Sequence, residues 1–281
     1  MKTTGPTLPT PMDEKALVAA AAGGDRAAFD RLAAPHVATV RAFVHRMIGH
    51  PDDAADLVQE SLLRAFTGIC QFREGARFST WLCSIAGHAC IDHLRSQQRW
   101  RPYAQSYAEQ ECAGSPEMRQ EILDVIADPG FSFDTHEHIA ACFTCVARSL
   151  PPREEAALVL REIFEYSNQE AADALGVTEP VLRNHLAAAR GAMTRTYEGL
   201  CALVNKQGIC HQCAGFRNTA AEGHKGPPVE PLGAPGDGPE ERFRVRLRVV
   251  RSSPFEGGVS RALHDLLFDR IRRQEGREAQ G

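Results

Sequence analysis

The sequence predicts an all-α protein of two helical domains joined by a linker, with a small β/α extension at its C-terminal end. Three observations lead there. Apolar residues recur at spacings of three and four from about Asp13 to Ser96, the same period returns from Pro151, and only one late stretch alternates as a strand does. The chain has 281 residues, enough for two or three modules rather than one small fold. Charged residues at 24% and apolar residues at 43% are ordinary for a globular chain and argue against wholesale disorder or a collagen-like repeat. Lys and Arg number 32 against 36 Asp and Glu, a net charge of -4, so no global basic field advertises nucleic acid and any such contact must be local.

In chain order, residues 1–12 read as a disordered N-terminus. They lack the apolar core of a signal peptide, and no apolar run in the chain is long enough to span a membrane, which places the protein in the cytoplasm. Residues 13–100 form the first helical domain. Within it, Ala55, Val58, Leu62 and Phe66 fall on one side of a helix while Asp53, Asp56 and Glu60 form an acidic stripe on another. A second helix from Thr80 to Arg99 carries Leu82, Ile85, Ala86 and Ala89 on one side. On its other side His88, Asp92, Arg95 and Arg99 make a polar, partly basic stripe.

Residues 101–149 read as a linker, because Gly114, Ser115, Pro116, Asp128, Pro129 and Gly130 interrupt the pattern around one short helical stretch, Glu117 to Ala127. Residues 150–206 form the second helical domain. Pro151 and Pro152 followed by Glu154 and Glu155 suit a helix start. Ser167 to Leu175, then Gly176, Val177 and Thr178, then Glu179 to Arg190 read as helix, tight turn, helix, with Thr178 at the N-cap. Residues 207–281 form the extension. It opens with a Gly/Pro tether, continues with Phe243, Val245, Leu247 and Val249 alternating with Arg242, Arg244, Arg246 and Arg248, and closes with an amphipathic helix through Leu263, Leu266, Leu267 and Ile271. Too short for a core of its own, this tail is expected to dock on something.

The runs Asp53 to Phe66, Phe78 to Leu82 with Ile85, Ala86 and Ile91 to Arg95, and Leu150 to Glu155 with Ala172 to Arg190 resemble the extracytoplasmic-function RNA polymerase sigma factors of bacteria. The resemblance covers somewhat under half of the chain, in two blocks whose order and spacing are specific. It implies a region 2-like bundle and a region 4-like helix-turn-helix module, bacterial core RNA polymerase and promoter DNA as partners, and no enzymatic activity. It leaves open a separate anti-sigma factor.

On the same resemblance Asp53, Asp56, Leu57, Gln59 and Glu60 grip polymerase. Opening DNA needs no covalent step, only a surface that binds unstacked bases and phosphates. Arg73, Arg77, Trp81, His88, Asp92, Arg95 and Arg99 could supply it, with core packing as the other reading of Trp81. In the helix-turn-helix, Arg183, Asn184 and His185 follow the first turn, where a recognition helix meets the major groove, with Thr178 and Arg190 beside them. Ala187 and Ala188 stand where the family often has a basic residue, which weakens phosphate contact from that turn. A stand-alone helix-turn-helix regulator is the alternative function.

Nine cysteines, an odd number over a long chain, fit reduced thiols or a metal site better than a disulfide framework. Cys142 and Cys145 precede the second domain, and Cys210 and Cys213 follow it. Paired C-x2-C turns can hold zinc (Zn) through four thiolates, or through three thiolates and one imidazole with His138 or His211 as the substitute, or the same thiols can sense a reactive signal.

Overall fold

The computed structural model describes residues 10–72, 77–96, 115–201, 222–225, 232–234, 236–253 and 261–278. These residues are helical, with no strand among them. The first domain contains α1 (Pro11–Ala22), α2 (Arg26–Ala33), α3 (Val37–Ile48), α4 (Pro51–Gly68) and α5 (Phe78–Ser96). Local chemistry sets their starts. The Asp25 carboxylate accepts from the Ala28 N–H at 3.1 Å to open α2, and His50 Nδ1 accepts from the Asp53 N–H at 3.4 Å to open α4. Helices α3, α4 and α5 pack on one another around Phe43, Val44, Met47, Leu82, Ala86 and Leu94, all buried.

Two helices, α6 (Pro116–Ala127) and α7 (Thr135–Ala147), occupy the described part of the stretch expected to be a linker. Ser115 caps α6, which is the helical stretch expected from Glu117 to Ala127, and Asp134 caps α7, so the Asp128 to Gly130 breakers mark a turn between two helices. The second domain continues with α8 (Pro152–Leu158), which widens into a π turn over Val159–Ile163, then α9 (Asn168–Leu175) and α10 (Glu179–Leu200). A capping box of Ser167 and Glu170 starts α9, and Gly176 ends it in the left-handed conformation at φ 61°.

The expected strand is a helix, α11 (Pro239–Ser252), followed by α12 (Arg261–Glu278). The correction has a clear cause. Phe243 and Leu247 belong to both periods, but the buried set is Phe243, Arg246, Leu247 and Val250, spaced three and four apart. Pro239 in the first turn, Glu240 and Glu241 beside it and Arg251 in the last turn all suit a helix, and arginine is a good helix former.

The two domains share one continuous core. Helix α5 packs on α8 and α9, and Phe43 meets Phe164 with ring centroids 6.0 Å apart. The Tyr166 hydroxyl donates to Cys83 Sγ at 3.1 Å, and Arg77 Nη1 pairs with Glu170 at 2.6 Å. Buried arginines tie helix ends together. Arg46 of α3 donates to the Ala140 and Val250 carbonyls, and Arg148 donates to the Ile48 carbonyl at the end of α3.

Candidate functional site

On α4 the buried positions are Asp53, Ala54, Leu57, Val58, Ser61 and Ala65. Of the expected apolar stripe Val58 is buried and Leu62 and Phe66 pack against the core, Ala55 is exposed, and Leu57 packs inside. Asp56, Gln59 and Glu60 face solvent, together with Leu63, a large apolar residue left 56% exposed. Arg64 pairs with Glu60 one turn back at 2.6 Å. Asp53 behaves differently from the rest of the acidic stripe. It is only 7% exposed, because Arg272 of α12 lies over it with Nη2 2.8 Å from Oδ1.

Helix α5 presents its stripe as expected. His88, Asp92 and Arg95 are exposed, while Leu82, Ala86, Ala89, Cys90 and Leu94 are buried. The start of α5 is an aromatic cluster. Trp81 is partly buried, 5.4 Å from Phe72 and 5.6 Å from Phe78 between centroids, so it packs with the core while keeping one side open. Arg77 is exposed and reaches across to Glu170. His88 stands beside the turn of the helix-turn-helix, where a Cβ on Gly176 would lie 3.8 Å from its Nε2. Arg73 and Arg99 lie outside the described residues.

In α10, Leu182, Leu186, Ala189 and Met193 face the core at spacings of four, three and four, which turns Arg183 and Asn184 outward. Thr178 holds the N-cap position in extended conformation, without a side-chain cap bond. Arg183 lies 3.5 Å from Glu179, a loose pair that a phosphate or base could displace. His185 is half-buried near Glu154, whose carboxyl is pushed up by burial and partly offset by that histidine. Arg190 is committed elsewhere, its guanidinium on Glu162, which also pairs with Arg251.

The cysteines are placed unlike a zinc knuckle. Cys142 and Cys145 lie inside α7, one turn apart on a face shared with His138. His138 Nδ1 lies 3.2 Å from His264 Nε2, and the His138 ring packs on Phe133. Burial, then the charge of Arg246, lowers the pKa of His138 to about 4. Both thiols lie near Tyr197, as does Cys201, and Cys142 and Cys201 lie near Arg246. Among the described residues no group of three or more His, Cys, Asp or Glu is placed to hold a metal ion. Cys210, His211 and Cys213 lie outside the described residues.

Two residues are buried where the sequence carries no plain sign of it. Arg246 is 1% exposed, its guanidinium 3.6 Å over the Tyr197 ring and 3.0 Å from Cys201 Sγ, and no carboxylate pairs with it among the described residues. The signal was the helical spacing of Phe243, Arg246 and Val250, masked by the alternation. Glu155 is fully buried in α8 beside Cys90 of α5, with neither carboxyl oxygen hydrogen-bonded among the described residues. Burial holds its pKa well above the usual carboxylate range, only partly offset by Arg148.

Residues 32–100 match the family described as Sigma-70 region 2, and residues 140–193 match that described as Sigma-70, region 4. The ECF RNA polymerase sigma factor SigG of Mycobacterium tuberculosis is 29% identical over 170 residues, 57% of this chain and 46% of that protein. The chain thus spans about half the length of that relative. SigM of the same organism, also an ECF RNA polymerase sigma factor, is 29% identical over 179 residues, 64% of this chain and 82% of that protein. A solved structure of CnrH in complex with the cytosolic domain of CnrY overlays with a TM-score of 0.44 at 22% identity, covering 66% of this chain and 97% of that one.

Proposed function

The chain belongs to the sigma-70 family, and on that premise we propose that it is an extracytoplasmic-function sigma factor that binds bacterial core RNA polymerase and directs it to promoter DNA. The observation that supports this most is the outward presentation of three surfaces by helices whose other faces are buried: Asp56, Gln59 and Glu60 on α4, His88, Asp92 and Arg95 on α5, and Arg183 and Asn184 on α10. The first grips polymerase. The second, with the partly exposed Phe72 and Trp81 at its head, packed on the buried Phe78, offers stacking surface and charge to separated strands. The third reads base edges in the major groove, arginine favouring guanine and asparagine favouring adenine.

Helix α5 packs on α8 and α9 in this arrangement, so the two domains must part before each can lie on DNA. The small net charge suits a factor that contacts its promoter within the holoenzyme and binds DNA weakly alone. We retain the cysteines as a thiol-responsive element rather than a zinc site. Arg246 already places a cation beside Cys142, and a second one there would be repelled.

The test is transcription from a promoter library by core polymerase loaded with the full chain. Promoter-selective initiation is expected, and Arg183→Ala or Asn184→Ala should each relax one base position by about 1–3 kcal/mol. Failure to bind core polymerase, together with tight binding of duplex DNA by the free protein, would instead identify a stand-alone helix-turn-helix regulator.

A further inference from the structure

We infer that α12 is a built-in competitor of core polymerase, docked in cis over the N-terminal end of α4. The inference rests on the reading of α4 as the polymerase-gripping helix. Helix α12 is anchored by Leu263 against α6 and reaches from there to the α3–α4 turn. Gly49 adopts φ 77°, and a Cβ there would collide with the Phe268 ring of α12, so only glycine permits this approach. Around it, Arg261 Nη2 lies 2.9 Å from His45 Nε2, and His50, which caps α4 with its Nδ1, turns Nε2 toward Asp269 at 3.7 Å and Arg272 at 3.5 Å. Arg272 then covers Asp53 at 2.8 Å.

The geometry separates the acidic stripe into a covered end and an open end. Asp53 is masked by α12, while Asp56, Gln59 and Glu60 remain available. A polymerase surface that engages the whole stripe must displace Arg272. The contact is suited to displacement. The Arg272 side chain is 38% exposed, so water and a competing cation can reach the ion pair from the arginine side although Asp53 itself is buried. Residues 253–260 connect α11 to α12, so a released α12 stays at high local concentration and a weak contact suffices to compete.

The experiment measures the affinity of full-length chains for bacterial core polymerase. Arg272→Glu sets two carboxylates against each other at Asp53 and should bind about tenfold tighter, as expected when the competent fraction rises tenfold. Phe268→Ser, which empties the contact over Gly49, should bind tighter in the same way. Arg273→Glu should bind as the unaltered chain does, since Arg273 is exposed and pairs with Asp269 of its own helix. If the unaltered chain binds core polymerase and neither Arg272→Glu nor Phe268→Ser binds tighter, α12 is not a competitor. If none of the chains binds, the sigma-factor reading falls and the inference falls with it.

Discussion

Helices α11 and α12 are neighbours in sequence, yet they are held by different physics. Helix α11 buries Phe243, Leu247 and Val250 against α7, α10 and the π turn, and seats Arg246 between Tyr197 and Cys201. Helix α12 buries Leu263, His264 and Phe268 in its first half. Its second half is held by ion pairs, Arg270 on Glu121 of α6 and Arg272 on Asp53 of α4. Buried apolar side chains contribute about 1.5–3 kcal/mol each, whereas solvent-facing ion pairs contribute about 0–1 kcal/mol. Helix α11 is thus a fixed part of the second domain, whereas α12, anchored at its start by Leu263 on α6 and beyond that mainly by ion pairs, is the strap more easily released.

Leu247→Ala should have the largest effect on that contrast, a loss of about 2–4 kcal/mol in denaturant unfolding from the cavity it opens. A loss under about 1 kcal/mol would show that α11 is no anchor.

Acid should act next, and on the strap. His45 is lowered to about 3 by burial and then by Arg261 and Arg46, His138 to about 4 by burial and then by Arg246, and His264 well below its usual value by burial and then by His138 and Arg261. His45 and His264 are the two that α12 covers or carries, and both bind protons more readily once α12 is released, because release removes burial and, for His45, the charge of Arg261. Docking is therefore favoured at neutral pH and weakens as pH falls below the ordinary histidine range. Hydrogen exchange at pH 7 and pH 5 should show residues 261–278 losing protection before residues 239–252.

Glu155→Gln sharpens the comparison at the domain interface. Burial favours the protonated form of Glu155, so its contribution is fully present below about pH 4.5 and is lost as pH rises. The variant should gain about 1–2 kcal/mol at pH 8 and almost nothing at pH 4.5, measured as unfolding midpoints. Arg77→Ala should change stability least, by about 0–1 kcal/mol, because its pair with Glu170 is open to water. A larger loss would mean that the two domains are clamped there.

The helical periods at Asp53 to Phe66, Thr80 to Ser96 and Ser167 to Arg190 were legible because capping residues, glycine turns and apolar spacing agree there. Alternation misled at residues 243–249, where positions four apart satisfy both periods and only burial separates them. Breakers within 101–149 suggest a linker around the one helical stretch Glu117 to Ala127, which is α6, while α7 was not legible because its Asp134 cap follows directly on those breakers. The masking of Asp53 by Arg272 was not legible, because no local pattern links residues so far apart in the chain. The same holds for the buried Glu155.

Hydrogen exchange on the full chain, with and without core polymerase, tests the division between anchor and strap most directly. On binding, residues 261–278 should lose protection while residues 239–252 keep theirs. Retained protection across 261–278 in the complex would contradict the account.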